Sequence, residues 1–164
     1  MYYVPNVPLI PQAFDMSCWF ASAEMVISWR RGRTQTTEIA HPAPRTVPGL
    51  AQAVLLDDGL STEEITRLAR KLGLVDVPPT APTLMGVQSW LRQYGPLWFA
   101  GIFRQMHAVV ITGVDHTGVQ INDPAPVGIG RRRTLTPDEF GSVMRPLPIR
   151  GSAAWAPNIL HCPR

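Results

Sequence analysis

Cys18 has the setting in this chain that most favours nucleophilic chemistry. The residues after it predict a largely buried helix from about Cys18 to Arg31, capped by Asp15 or Ser17. One face of this helix carries apolar residues four apart: Ala21, Met25 and Trp29. At the first turn of a helix, unpaired backbone N–H groups and the positive end of the helix dipole stabilise a thiolate. Cys18 is therefore a candidate nucleophile for acyl transfer.

Gln12 lies six residues before Cys18 and is a candidate oxyanion donor. Acyl transfer places negative charge on the substrate oxygen, and preplaced N–H donors stabilise that charge. The Gln12 side chain and the backbone N–H of Cys18 supply two such donors if residues 13–17 loop back. Taken singly, each residue also has an ordinary explanation, since a buried cysteine often serves as a small hydrophobe.

Composition excludes several other classes of protein. Apolar residues make up 45% of the 164 residues and charged residues 16%, which indicates one folded domain rather than a disordered chain. The net charge of +3 is scattered over the chain, apart from the run Arg131–Arg133, which we interpret as a solvated strand or loop. Nucleic-acid binding needs a clustered basic face, so no nucleic-acid partner is predicted.

The cysteine and hydropathy patterns argue against a metal site and a membrane span. Cys18 and Cys162 are the two cysteines, and neither lies at metal-ligand spacing from another cysteine or a histidine. We therefore predict no metal and no cofactor. The longest apolar run, residues 96–103, is far shorter than the roughly 20 residues that cross a bilayer, and no classical signal peptide is recognised.

The predicted elements come in the order helices first, strands second. Further helices are predicted at residues 49–56, 61–73 and 83–94. Strand-like segments with short gaps follow at residues 96–103, 107–114 and 118–122. A brief helix and a last strand are expected at residues 136–140 and 152–160.

This order predicts an α+β fold in a single domain, residues 1–164. The helical part covers about residues 13–95 and carries the cysteine. The sheet part covers about residues 96–164, and its short connections are typical of an antiparallel meander.

The nucleophile segment resembles that of papain-like cysteine proteases, in which Ser or Ala precedes the cysteine and an aromatic residue follows it. Residues 15–19 read Asp-Met-Ser-Cys-Trp, with Gln12 upstream at a similar spacing. Residues 95–98, 106–114 and 121–124 resemble the second half of the same pattern. The likeness is strongest to the compact bacterial effector proteases of the AvrRpt type, and it spans roughly residues 5–126.

The resemblance implies a role for several residues. His107 would be the general base, and Asp123 would orient it. Asn122 is the alternative, because papain uses an asparagine and strand neighbours point to opposite faces. Trp19 and Trp98 are weaker candidates for substrate binding, and core packing is the favoured explanation for both.

The resemblance also implies a function: a cysteine endopeptidase, secreted as a bacterial effector or toxin, that cleaves a protein of a target cell. Such a protein is cytoplasmic before a specialised secretion system exports it. Its expected partners are a protein or peptide substrate and an immunity protein or host activator. The C-terminal third matches no pattern of the family, so specificity is expected to depend on it.

Three other functions remain compatible with these residues. The first is a different acyl transfer on the same site, as in a peptidoglycan amidase, a deamidase or a transglutaminase-like toxin. The second is the leader-cleaving peptidase domain of a peptide exporter, which uses a similar Cys-His-Asp set. The third is a binding module that keeps the fold and lacks catalysis.

Overall fold

The structure is a computed structural model that describes residues 1–33, 59–77, 83–145, 147–151, 153, 155–156 and 158–163. The helix predicted at residues 49–56 lies outside this part of the chain. Within it, the predicted elements appear in the predicted order, and the α+β fold is confirmed.

The helices begin and end close to the predicted positions: α1 (Cys18–Arg33), α2 (Thr62–Leu72), α3 (Leu84–Tyr94) and α4 (Pro137–Val143). At the start of α2 the Glu64 side chain accepts the backbone N–H of Ser61 at 3.0 Å, as the capping-box pattern predicts. Gly73 ends this helix with a φ of 66°, a left-handed conformation that favours glycine. Local signals of this kind explain why α2 and α3 could be predicted closely.

Helix α1 is buried on almost every side. Its fully enclosed positions include Ala23, Met25, Val26 and Ile27. A helix that is apolar nearly all round must lie inside the protein, and α1 packs against the centre of the sheet. The residue that begins α1 is thereby carried to the sheet.

The main sheet is antiparallel throughout and contains the predicted meander. Its strands are β1 (Tyr2–Tyr3), β2 (Val75–Asp76), β3 (Leu97–Ile102), β4 (Met106–Asp115), β5 (Gly118–Asp123), β6 (Arg131–Leu135) and β9 (Ile159–His161). They run in the order β2-β9-β3-β4-β5-β6, and β1 pairs with β4. A separate pair is formed by β7 (Leu147–Pro148) and β8 (Trp155–Ala156). Because β1 and β2 precede residue 96, the sheet also draws on the N-terminal part of the chain.

Strand register decides which side chains share a face near the middle of the sheet. Val110 pairs with Trp98 on β3 and with Asn122 on β5. Directly paired residues on neighbouring strands lie on the same face of the sheet. Successive residues along one strand lie on opposite faces. Asn122 therefore shares the face of Trp98, whereas Asp123 shares the other face with His107, which lies three residues before Val110.

Candidate active site

Cys18 is the first residue of α1 and is half-buried. At this position its backbone N–H has no acceptor one turn back within the helix, so it points out of the helix end. The Sγ atom lies 3.5 Å from the backbone N–H of Ala108, the residue after His107 on β4. Cys18 thus meets the strand that carries the candidate base.

A second contact fixes the helix against the same strand. Ser22, fully buried and one helical turn after Cys18, donates its hydroxyl to the carbonyl of Ala108 at 3.0 Å. Both backbone groups of Ala108 therefore face α1. These two contacts fix the position of α1 along β4, and so the position of the Cys18 sulfur relative to His107.

The segment before Cys18 is a turn held by its own side chains. The Ser17 hydroxyl and the backbone of Phe14 exchange hydrogen bonds at 3.0 Å in both directions, and the capping of α1 by Asp15 or Ser17 stays a prediction. The Gln12 Nε2 donates to the carbonyls of Phe14 and Asp15 at 2.9 Å each. Residues 13–17 do loop back, as an oxyanion role for Gln12 requires.

Gln12 is also fixed through its backbone. Its N–H donates to the carbonyl of Pro124 at 3.0 Å, and its carbonyl accepts the N–H of Gly128 at 2.9 Å. The turn that follows Asp123 therefore clamps Gln12. Both N–H groups of the Gln12 side-chain amide donate to backbone carbonyls. An oxyanion role therefore requires the amide group to turn away from them, and that role stays a prediction.

His107 and Asp123 form a direct pair. The His107 Nε2 lies 2.7 Å from the Asp123 Oδ1, and the carboxylate is only 2% exposed. The backbone N–H of Ala125 donates to the same oxygen at 3.0 Å. The Nδ1 is the ring nitrogen that remains for exchange of a proton with Cys18.

Asn122 faces elsewhere. Its side-chain amide donates to the carbonyl of Pro8 at 2.9 Å and so holds the N-terminal arm against the sheet. In this structure Asp123, rather than Asn122, is the neighbour of His107, and strand alternation is the physical reason.

The charges around His107 favour an imidazolium. Burial by itself would lower the pKa of His107. Hydrogen bonds to Asp123 and to Cys18, with the negative charges of both, outweigh burial and raise the pKa from 6.5 to about 9. Burial likewise opposes ionisation of Asp123, yet the hydrogen bonds from His107 and Ala125 hold the pKa of that carboxyl below its usual range.

A second cation contacts the aspartate. Arg131 donates through its Nε and Nη2 to the Asp123 Oδ2, each at 3.2 Å. Arg133 lies farther away, with its Nη1 3.9 Å from the same oxygen. The arginine run does form a strand, β6, but two of its three side chains turn toward the site.

An apolar cavity of about 170 Å³ adjoins Cys18 and His107. Trp19 and Trp98 line it, and both are almost completely buried. The Trp98 indole N–H donates to the carbonyl of Trp19 at 3.1 Å. The two tryptophans therefore belong to the core and present only their inner surfaces to the cavity.

The two cysteines have different environments. Neither forms a disulfide. Cys162 is buried away from water, and burial raises the pKa of its thiol to about 11. In the described ranges, no cluster of three or more His, Cys, Asp or Glu side chains is arranged to hold a metal ion. No helix there combines the length and apolar character needed to cross a membrane.

A model of the papain-like cysteine protease AvrRpt2 family matches residues 2–144. The chain belongs to this family. The predicted resemblance is confirmed, and the protein is a papain-like cysteine peptidase, hence a hydrolase. The matched span contains Cys18, His107 and Asp123. It also contains Arg131–Arg133, so the expectation that the C-terminal third matches no pattern of the family is wrong up to residue 144. None of the curated proteins searched matches the chain.

Sequence reasoning about this AvrRpt2-family protease missed two contributors to the site, Ser22 and Arg131. Ser22 carries a signal: it is a hydroxyl one turn after the nucleophile in a helix that is otherwise apolar on that side. Arg131 carries a weaker one. In a run of three arginines on a strand, the first and third share a face, but only the sheet register reveals what they face.

Proposed function

We propose that this protease is an endopeptidase that cleaves a target-cell protein through a Cys18-His107-Asp123 triad. The observation that carries the proposal is the 2.7 Å contact between His107 and buried Asp123, with Cys18 at the start of a helix beside the same imidazole. Asp123 stabilises the imidazolium of His107, and a cysteine nucleophile works best where a helix start and an imidazolium lie beside it.

Acylation begins when the Cys18 thiolate attacks a peptide carbonyl carbon and forms a carbon–sulfur bond. The carbonyl oxygen becomes an oxyanion, which the backbone N–H of Cys18 stabilises together with the Gln12 amide once it has turned. The intermediate collapses as His107 gives its proton to the leaving amine. The carbon–nitrogen bond breaks, and a thioester remains.

Deacylation reverses the role of His107. The neutral imidazole takes a proton from water, the resulting hydroxide attacks the thioester, and the carbon–sulfur bond breaks. The new carboxyl product leaves, and Cys18 and His107 return to the thiolate-imidazolium pair. Asp123 keeps the ring oriented through both steps.

The cavity beside Cys18 supports an apolar side chain near the scissile bond. Its lining includes Met16, Leu60, Ile65 and Met106 as well as the two tryptophans. A substrate side chain that buries apolar surface there gains affinity.

The family supports a proposal for the biological setting. As a single-domain effector, residues 1–164 would be made in the bacterial cytoplasm, exported, and delivered into a target cell. A substrate protein of that cell is the partner, and an immunity protein or host activator is a further one.

The test uses a complex peptide mixture, since the substrate sequence is open. Peptides from a digested cell proteome are incubated with wild type, Cys18→Ala and Cys162→Ala, and new termini are identified by mass spectrometry. Wild type and Cys162→Ala should create the same set of new termini, and Cys18→Ala none. Cleavage that survives in Cys18→Ala, or release of fragments from peptidoglycan without any from peptides, would overturn the proposal.

A further inference from the structure

We propose that Arg131 is a positioning residue of this active site, which acts on His107 by locking the Asp123 carboxylate in place. The inference rests on the proposed triad and deepens it. The sequence analysis places Arg131 in a solvated arginine run. The structure instead places it in contact with Asp123, which contacts His107.

The two oxygens of Asp123 are divided between two sets of donors. The Oδ1 accepts from His107 at 2.7 Å and from the backbone N–H of Ala125 at 3.0 Å. The Oδ2 accepts two N–H groups of Arg131, each at 3.2 Å. Rotation of the carboxylate would break both sets at once, so Arg131 restricts the orientation that His107 requires.

Strand register explains why Arg131 reaches this carboxylate and Arg132 does not. On paired strands β5 and β6, Asp123 lies opposite Arg131, and Asn122 lies opposite Arg132. Side chains alternate between faces along a strand. Arg132 therefore lies on the face of Asn122, where both line a groove away from His107. Arg132 provides a matched control with the same charge on the same strand.

Arg131 matters most when His107 loses its proton. At that point of the reaction the imidazolium no longer balances the carboxylate, which is 2% exposed. A buried carboxylate without a cation tends to take up a proton. The guanidinium cannot lose its proton near neutral pH, so it keeps Asp123 ionised and ready for the next turnover.

Arg131 has two opposite effects on the pKa of His107: it holds the Asp123 carboxylate in place, and its own positive charge acts on the imidazolium. A locked Asp123 stabilises the imidazolium, whereas the positive charge of Arg131 repels it. Locking should dominate, because the His107–Asp123 contact is direct and buried, while Arg131 is 55% exposed and water screens its charge. The other charged groups in the same surroundings are Cys18 on α1, Arg104 in the β3–β4 turn, Arg133 on β6, and Asp138 and Glu139 on α4.

The experiment is an NMR titration of the histidine rings in wild type, Arg131→Gln, Arg131→Lys and Arg132→Gln. His107→Ala identifies the resonance among the four histidines. Locking predicts that both Arg131 variants lower the pKa of His107 by about one unit and move the upper inflection in the pH profile of Cys18 alkylation by iodoacetamide down by the same amount. Arg132→Gln should change neither. An unchanged or raised pKa in Arg131→Gln, or wild-type behaviour of Arg131→Lys, would overturn the proposal.

A double-variant cycle separates a role through Asp123 from a general loss of structure. In an Asp123→Asn background, Arg131→Lys should lower the pKa of His107 by less than about 0.3 unit further, because the group it acts on is gone. A fall of about one unit in both backgrounds would show that Arg131 acts by another route. Arg131→Lys keeps a cation beside the buried carboxylate and so serves the test even if Arg131→Gln does not fold.

Failure of the proposed function gives a different result. If Cys18 of the wild type reacts as an ordinary thiol at every pH and the pKa of His107 stays near 6.5, the triad itself is wrong. If the wild type shows the raised pKa and the Arg131 variants do not change it, only the role of Arg131 is wrong.

Discussion

Cys18 and His107 are held in position by different kinds of interaction. Cys18 begins a helix that apolar packing encloses. Its position along β4 is fixed by the hydrogen bond that Ser22 donates to the Ala108 carbonyl and by the contact of the Ala108 N–H with the Cys18 sulfur. His107 is held by charge, through Asp123 and then Arg131. We call Cys18 and Ser22 the packed half of the site, and His107, Asp123 and Arg131 the charged half. The two halves meet at Ala108, the residue that follows His107.

This difference separates placement from protonation. Packing fixes where the sulfur lies and is insensitive to pH and salt. The charges of Asp123 and Arg131 fix which protonation state the His107 imidazole adopts, and this effect depends on pH and on salt. Variants of the packed half should therefore change stability, whereas variants of the charged half should change pH profiles.

The largest effect is expected when the charged half loses its base. His107→Ala should slow alkylation of Cys18 at pH 6 by up to roughly 300-fold, since a free thiol with a pKa near 8.5 is only about 0.3% ionised there. Iodoacetamide labelling followed by peptide mapping measures the rate. His116→Ala, a change of the same kind in the β4–β5 turn, is the control. Rapid labelling of Cys18 at pH 6 in His107→Ala would contradict the pairing.

The charged half should also make stability depend on pH. The pKa of His107 is raised from 6.5 to about 9 in the folded protein, so its protonated form binds more tightly in the native state. This contribution is complete below pH 6.5 and is lost as the pH rises through 9. The free energy of unfolding of wild type relative to His107→Gln should fall by about 3 kcal/mol over that range.

Urea unfolding at pH 6, 7.5 and 9 measures the difference between the two proteins. The comparison with His107→Gln removes the contribution of groups that titrate in both. A constant difference across these three pH values would show that His107 has no raised pKa in the native state.

In the packed half, Ser22→Ala should destabilise the protein by about 2 kcal/mol, because a buried carbonyl loses its donor. The pH profile of Cys18 alkylation should keep its shape. Ser28→Ala, an exposed serine on the same helix, is the matched control and should have little effect. Thermal unfolding of both variants provides the measurement, and equal melting temperatures would contradict the buried hydrogen bond.

The smallest effect is expected at the neighbour of the orienting carboxylate. Asn122→Ala removes the amide that donates to the carbonyl of Pro8, so it should cost about 1 kcal/mol of stability. The pKa of His107 should not change, since Asn122 lies on the other face of β5. A pKa shift in this variant as large as that in Asp123→Asn would reverse the assignment of the two residues.

Sequence reasoning predicted well those features that depend on neighbours along the chain. The capping box before α2, the glycines after α2 and α3, and the start of α1 at Cys18 all depend on a few adjacent residues. The family could be recognised for the same reason, since its motifs are short and local. For the residue that orients His107, the sequence left two candidates, Asn122 and Asp123. Strand alternation allows only one of them to face the histidine.

Features that depend on register could not be predicted. The partners of Ser22 and Arg131 lie on other strands, and a one-residue slip of β6 would place Arg132 opposite Asp123 instead. The occupied donors of Gln12 depend on the path of the turn before Cys18, which no propensity specifies.

The sequence by itself determined the type of fold and the family, and it predicted Cys18 and His107 as nucleophile and base, because helix starts, apolar patterns and short motifs act over a few residues. Only the tertiary structure showed that Asp123, rather than Asn122, contacts His107, and that Arg131 contacts the same carboxylate. Those contacts join residues from separate strands, and their geometry is specified by the packing of the whole sheet rather than by any segment of it.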